Sequence, residues 1–178
     1  MINLISKWIL KILIHFKLYP HIFFIFMPFK IFEFKELQKG IKFSSSELIL
    51  DIGCGRGLQT MLLGKKCKRI TGIDTSNEAI AAAKRISQYL KGRNNCEFKC
   101  VKIENANLEN EYFDKIFSIC VLEHISNYDE ILREAYRVLK NDGQMIFSVD
   151  TLEAIEDNDL VKKHRKEQFV KKYFKKEE

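Results

Sequence analysis

Three glycines within ten residues carry the first chemical signal in this sequence. The segment LILDIGCGRG, residues 48–57, sets Gly53, Gly55 and Gly57 where an apolar run gives way to a helical pattern. Glycines at such a turn let the chain reverse tightly and let backbone N–H groups approach a ligand closely. Asp74 lies 21 residues after Gly53, at the end of the next apolar run, where a carboxylate can accept hydrogen bonds from the two hydroxyls of a ribose. Glycine turn, helix, strand and acid together point to a nucleoside-containing ligand. The spacing is GxGxG, with Leu58 next, rather than the GxGxxG of dinucleotide sites, so a nicotinamide cofactor fits less well. A Walker loop is excluded because no Lys and Ser/Thr follow the glycines. On residue types alone, Asp51 is equally able to brace the glycine turn, and Asp74 to cap the helix that follows it.

These residues need a scaffold of alternating strands and helices. Glu47 to Ile52 reads as a short buried strand, followed by the glycine turn and a helix to about Lys66. Arg69 to Ile73 gives a second strand ending at Asp74. Thr75 and Glu78 have capping-box spacing before the alanine-rich helix 79–90. Cys96 to Val101 is a third strand, exposed by Glu97 and Lys99, and Phe113 to Val121 is a fourth. Ser126 and Asp129 repeat the capping-box spacing ahead of a helix with the apolar stripe Ile131, Leu132, Ala135, Tyr136, Val138 and Leu139, which Gly143 closes. Gln144 to Val149 is a fifth strand. This order predicts an open parallel sheet with helices on both faces.

Length and composition agree with that fold. At 178 residues the chain is long enough for one domain, and 46% hydrophobic with 30% charged residues and only 2 prolines argues against disorder. Five cysteines without a CxxC pair support neither a zinc site nor a disulfide framework, and predict reduced thiols in a cytoplasmic protein. The net charge of +6 is uneven. Residues 1–32 form an arm with 22 apolar or aromatic residues, Lys7, Lys11, Lys17 and Lys30, and no acid. Its amphipathic pattern suits three arrangements: a peripheral membrane contact favouring anionic lipid, a lid over substrate or against a twin subunit, or a membrane span. Residues 33–178 carry 26 basic and 24 acidic residues, a balance with no long basic face for nucleic acid. In the stretch 162–178, Phe169, Val170, Tyr173 and Phe174 among lysines fit a helix with an apolar side better than a base-stacking surface.

At this point residues 45–150 resemble the class I S-adenosylmethionine-dependent methyltransferases, and within them the type 11 small-molecule subgroup. LDIGCGRG at 50–57 is similar to the first family motif and ITGIDTS at 70–76 to the second. FDKIFSICVLEHI at 113–125 matches the fourth-strand region, and EILREAYRVLKNDG at 130–143 the helix and turn before strand five. The resemblance implies a three-layer α/β/α fold built on an open, doubly wound Rossmann-like sheet of seven strands, one of them antiparallel. It also implies S-adenosyl-L-methionine as cofactor and no metal. It places Asp51, Gly53, Gly55 and Arg56 near the amino acid end of the donor, Asp74 on the ribose, Glu104 and Asn105 beside adenine, and Cys120 along the methionine portion. Glu104 departs from the family's Asp at that position.

Glu123 and His124 follow strand four at the crevice mouth. A histidine side chain can titrate near neutrality, which makes His124 the best available base for a hydroxyl acceptor, although the EH pair also serves the subgroup in positioning the loop. The implied activity is methyl transfer to a small-molecule or lipid-like acceptor, and the alternative is a noncatalytic subunit that binds the donor without turnover. No Asn/Asp-Pro-Pro-aromatic motif follows strand four, which disfavours nucleic-acid methylation. Because the family continues past the position of Glu178, the expectation is a domain at 33–178 without its last two strands. Strand five would then be an open edge for an oligomer or partner to cover.

Overall fold

A computed structural model describes residues 34, 37–89, 95–125, 128–148 and 172–175. The arm at 1–32, the Ser126 cap and the chain from 149 to 171 lie outside the described residues. The elements are β1 (Leu48–Ile52), α1 (Leu58–Leu63), β2 (Arg69–Asp74), α2 (Asn77–Tyr89), β3 (Cys96–Cys100), β4 (Phe113–Ile119), α3 (Tyr128–Val138), β5 (Leu139–Ser148) and β6 (Lys172–Lys175). They build a six-stranded sheet in the order β3-β2-β1-β4-β5-β6. The first five strands are parallel to one another, and β6 runs antiparallel to β5.

The register follows from which residues must be buried. In β1, Ile49 turns to one face and joins Leu62 and Leu63 of α1, together with Leu37, Ile41 and Phe117. Its neighbours Leu50 and Ile52 turn to the other face and meet Ile131, Ala135 and Val138 of α3. A one-residue slip would exchange these sets, so burial on both faces fixes the pairing Leu48↔Arg69 on one side and Ile49↔Lys115 on the other. Helix α2 packs through Ile80 and Ala83 on Met61 of α1 and Phe98 of β3. Phe98 is the only fully buried residue of β3, as expected of an edge strand.

Three boundaries differ from the sequence reading. Helix α2 is capped by Ser76, whose Oγ accepts from the Ala79 N–H at 3.2 Å, so the Thr75–Glu78 box does not form. Helix α3 ends at Val138, and the left-handed residue after it is Asp142 (φ 63) rather than Gly143, which leaves β5 running from Leu139. Strand five is not an open edge. Gln144↔Lys175 through Phe147↔Lys172 pair antiparallel, so the chain's own residues 172–175 provide the cover expected of a partner, in a segment read from its aromatic spacing as helix.

The end of the sheet where the parallel strands begin holds a polar cluster. The Lys115 ammonium, with a side chain only 7% exposed, pairs with the Glu47 carboxylate, and Phe43 stacks on Phe117 beside it. Asp114 accepts from the Leu48 N–H at 2.7 Å and from Lys140 at 2.8 Å. Burial pulls the Asp114 carboxyl up, but these donors and nearby Lys115 outweigh it and hold the group below its ordinary range. Replacing Lys115 with Met strands a buried carboxylate, and should cost about 3–5 kcal/mol in urea unfolding. The double change Lys115→Met with Glu47→Gln should recover most of that loss.

Candidate functional site

A cleft of about 570 Å³ opens where β1, β2 and β4 end. That is the end at which open parallel sheets bind ligands. Of the residues expected at the site, Gly53, Asp74, Glu104, Cys120 and His124 line it. The floor begins at the glycine turn. The Gly53 and Cys54 N–H groups both donate to the Ile73 carbonyl, at 2.8 and 3.0 Å, which extends the β1–β2 ladder one step before the chain swings away. Gly53 takes φ 72, and a Cβ there would sit 2.2 Å from a methyl of Val121, so no side chain fits. Gly57, at φ 74, starts α1, and its Cα faces the Phe98 ring so closely that a Cβ would come within 2.5 Å.

Asp74 holds this turn to β2. One carboxylate oxygen accepts from the Gly55 N–H at 2.8 Å and the other from the Ser76 N–H at 2.8 Å. Each carboxylate oxygen has two acceptor sites, so each retains one for a ligand hydroxyl. Bracing the loop and receiving a ribose are therefore compatible duties for Asp74. Opposite, Cys120 ends β4 in the left-handed region at φ 53, an uncommon conformation for a residue with a side chain. Its N–H donates to the Ser148 carbonyl at 3.0 Å, which anchors the bend.

Four expected residues stand away from the cleft wall. Asp51 is 2% exposed and sits beneath the turn, accepting from the Thr60 hydroxyl at 2.5 Å. Gly55 serves through its N–H on Asp74. Arg56 is exposed and meets Glu78 at 3.3 Å, an ion pair in solvent. Asn105 is exposed in the turn that carries Glu104, whose carboxylate lies 3.8 Å from Lys102. The structure adds wall residues to which the sequence reading gave no site role: Val101 and Ile103 after β3, and Ile125 and Ile131 on the α3 side, with Glu130 on the first turn of α3. Positions just past a strand end could have flagged Val101, Ile103 and Ile125.

Burial governs the chemistry of the buried groups. Burial pushes the Asp51 carboxyl up to about 7, the Thr60 hydrogen bond opposes this, and the Asp74 charge adds to it. The Cys54 thiol is pushed far above its ordinary value by burial and by the charges of Asp51 and Asp74, which makes it a packing group rather than a nucleophile. Cys67 is pushed up to about 12 for the same reason of burial, with Cys96 and Glu47 adding to it. All five cysteines are free thiols.

Residues 50–147, which hold the glycine turn, Asp74 and His124, match the family described as Methyltransferase domain. The chain belongs to the class I S-adenosylmethionine-dependent methyltransferases. This methyltransferase chain is 33% identical over 117 residues to an uncharacterized methyltransferase of Schizosaccharomyces pombe, covering 63% of this chain and 43% of that one. It is 32% identical over 116 residues to the ubiquinone biosynthesis O-methyltransferase of a Bradyrhizobium species, covering 65% and 45%. The crystal structure of a Listeria monocytogenes protein assigned as an S-adenosylmethionine dependent methyltransferase superposes with a TM-score of 0.59 at 28% identity, over 66% of this chain and 52% of that one. The chain spans less than half the length of the two curated relatives. No helix among the described residues is long and apolar enough to cross a membrane.

The residues present fit the family's donor. The Gly53 position has no room for a side chain, the Asp74 oxygens keep free acceptor sites, and Val101 and Ile103 offer an apolar wall for a purine beside Glu104. The raised pKa of Asp51 has its own consequence for stability. The folded protein holds that proton up to about pH 7, whereas an ordinary carboxyl of pKa 3.8 has lost it, so stability falls as pH climbs between those values. Asp51→Asn keeps an acceptor for Thr60 without a buried charge. It should raise stability at pH 8 by roughly 1–3 kcal/mol and leave pH 4 nearly unchanged, as read by thermal unfolding at both values.

Proposed function

We propose that the protein transfers the methyl group of S-adenosylmethionine to a small-molecule or lipid-like acceptor. The observation that carries this reading is Asp74, fixed by two backbone N–H groups at the end of β2 with acceptor sites left facing a cleft. In this role Asp74 receives the ribose hydroxyls, Glu104 lies beside the adenine together with Val101 and Ile103, and the backbone at Gly53 and Cys120 flanks the methionine portion. Asp51 and Gly55 act from beneath by holding the turn. Arg56 and Asn105 flank the site from solvent. When bound, the donor supplies an already activated methyl on a sulfonium, so the protein's task is alignment and proton handling.

His124 stands at the open side of the same cleft, in the short turn Leu122–His124, and is exposed. It is placed to accept the proton that a hydroxyl or amine acceptor gives up. Glu130 and Ile131 border that side and present one carboxylate and one apolar surface to the acceptor. The relative from Bradyrhizobium is named as an O-methyltransferase, which supports an oxygen acceptor here.

Asp74→Ala removes the ribose acceptor and the brace on Gly55 together. Calorimetric titration with S-adenosylmethionine should show affinity reduced at least about tenfold, and wild-type affinity in a folded variant would refute the placement. His124→Gln should leave donor affinity unchanged while lowering turnover of a hydroxyl acceptor about 10²–10⁴-fold. A variant that binds the donor and loses nothing in rate returns His124 to positioning the loop.

A further inference from the structure

The near balance of charge along residues 33–178 conceals a basic face that folding assembles. Segments 37–46 and 64–69 hold Lys39, Lys42, Lys65, Lys66, Lys68 and Arg69 and no acid, and all six are exposed. They are far apart in sequence and adjacent in the fold. Lys66 reaches Gln38 and lies 4.8 Å over the Phe43 ring, Cys67 packs in one cluster with Leu37 and Ile41, and the Lys68 N–H donates to the Glu47 carbonyl at 2.9 Å. Two acids beside this face are already paired, Glu47 with Lys115 and Asp114 with Lys140, whereas Glu109 and Glu111 are exposed in the turn that leads into β4.

The face lies where β1 and β2 begin, and the cleft lies where they end. A five-residue strand separates the two by about 16 Å. Phe34, two residues past the arm in sequence, packs in the same cluster as Leu37 and Ile41 at this end. Residues 1–32 bring 22 apolar or aromatic residues and four lysines with no acid. An apolar segment joined to a polybasic surface is the two-part combination that makes lipid attachment stable, since either signal alone is marginal. Nucleic acid fits less well. Stacking of bases needs exposed aromatic rings, whereas Phe43 is taken up by Phe117 and by Lys66, and the exposed large aromatics among the described residues, Tyr128 and Tyr136, are on α3.

We propose that this face docks the protein on an anionic lipid surface, with the arm as its apolar anchor and the cleft turned away from the bilayer. The full chain should co-sediment with phosphatidylcholine vesicles holding about 30% phosphatidylserine, bind pure phosphatidylcholine much less, and lose the difference in about 1 M salt, where screening shortens to roughly 3 Å. The triple change Lys42→Glu, Lys68→Glu and Arg69→Glu should reduce partitioning roughly a hundredfold, from about fivefold for each basic residue near the surface. Its affinity for S-adenosylmethionine should stay that of the wild type, because the cleft is at the other end, which separates failure of docking from failure of the donor site. If the charge-reversed chain does not fold, the same three positions changed to Gln remove the same three positive charges and should still cut partitioning roughly a hundredfold. Equal binding to neutral and anionic vesicles, or wild-type partitioning by a folded variant, overturns the proposal. So does an RNA oligonucleotide that displaces the protein from vesicles at comparable phosphate concentration, which would assign the face to nucleic acid.

Discussion

Everything at the ligand end of this sheet depends on one carboxylate bonded to two backbone N–H groups. Asp74 can hold Gly55 and Ser76 only because β1 and β2 pair in parallel with Ile52 beside Ile73, which brings the glycine turn across the end of β2. The turn can reach that carboxylate only because Gly53, Gly55 and Gly57 all take positive φ. The same bonds point the next helix, since Ser76, oriented by Asp74, caps α2. Loop, strand end and helix start are thus one hydrogen-bonded unit, with the donor's expected position at its open side.

The electrostatics of this unit favour a cation. Burial opposes ionisation of the Asp51 carboxyl, and the nearby Asp74 charge adds to that. A ligand bearing positive charge offsets the second of these, and S-adenosylmethionine carries a sulfonium and an ammonium beside one carboxylate at pH 7. Its demethylated product carries one positive charge fewer and relieves less. The buried carboxyl therefore gives a physical reason for the cleft to prefer donor over product, through a group that does not line the wall.

Much of the fold was legible because its signals are local or periodic. Glycine spacing, the acid at the end of β2 and the apolar faces of β1, β4 and α3 each specify themselves within a few residues. What escaped was decided between neighbours of similar propensity or by distant pairing. Ser76 and Thr75 are both competent caps, and the choice fell to Ser76 because Asp74 already holds its N–H. Asp142 took the left-handed position beside Gly143 because aspartate tolerates it when strand pairing with β4 fixes the backbone on either side. The pairing of residues 172–175 with β5 is long-range and leaves no local mark, since Tyr173 and Phe174 among lysines suit either a helix or an edge strand. Within the site, the distinction between residues that line the cleft and residues that support the lining was invisible: Asp51 and Asp74 are both strand acids, and only the fold buries one and leaves the other half-buried at the cleft.

The two ends of the sheet divide the charges by function. At the far end Lys115 and Glu47 neutralise each other within the core, so the lysines around them remain as surface charge. At the cleft end acids predominate, with Asp74, Glu104 and Glu130 in the wall against Lys102 and His124. A parallel sheet makes this separation natural, because every strand starts at one end and finishes at the other. Residues entering strands can then be selected for one environment and residues leaving them for another, with the apolar interiors of β1 and β4 insulating the two. An acidic end that takes up a cationic donor and a basic end that remains accessible are, on this geometry, independent surfaces of one domain, and a change at either should be felt little at the other.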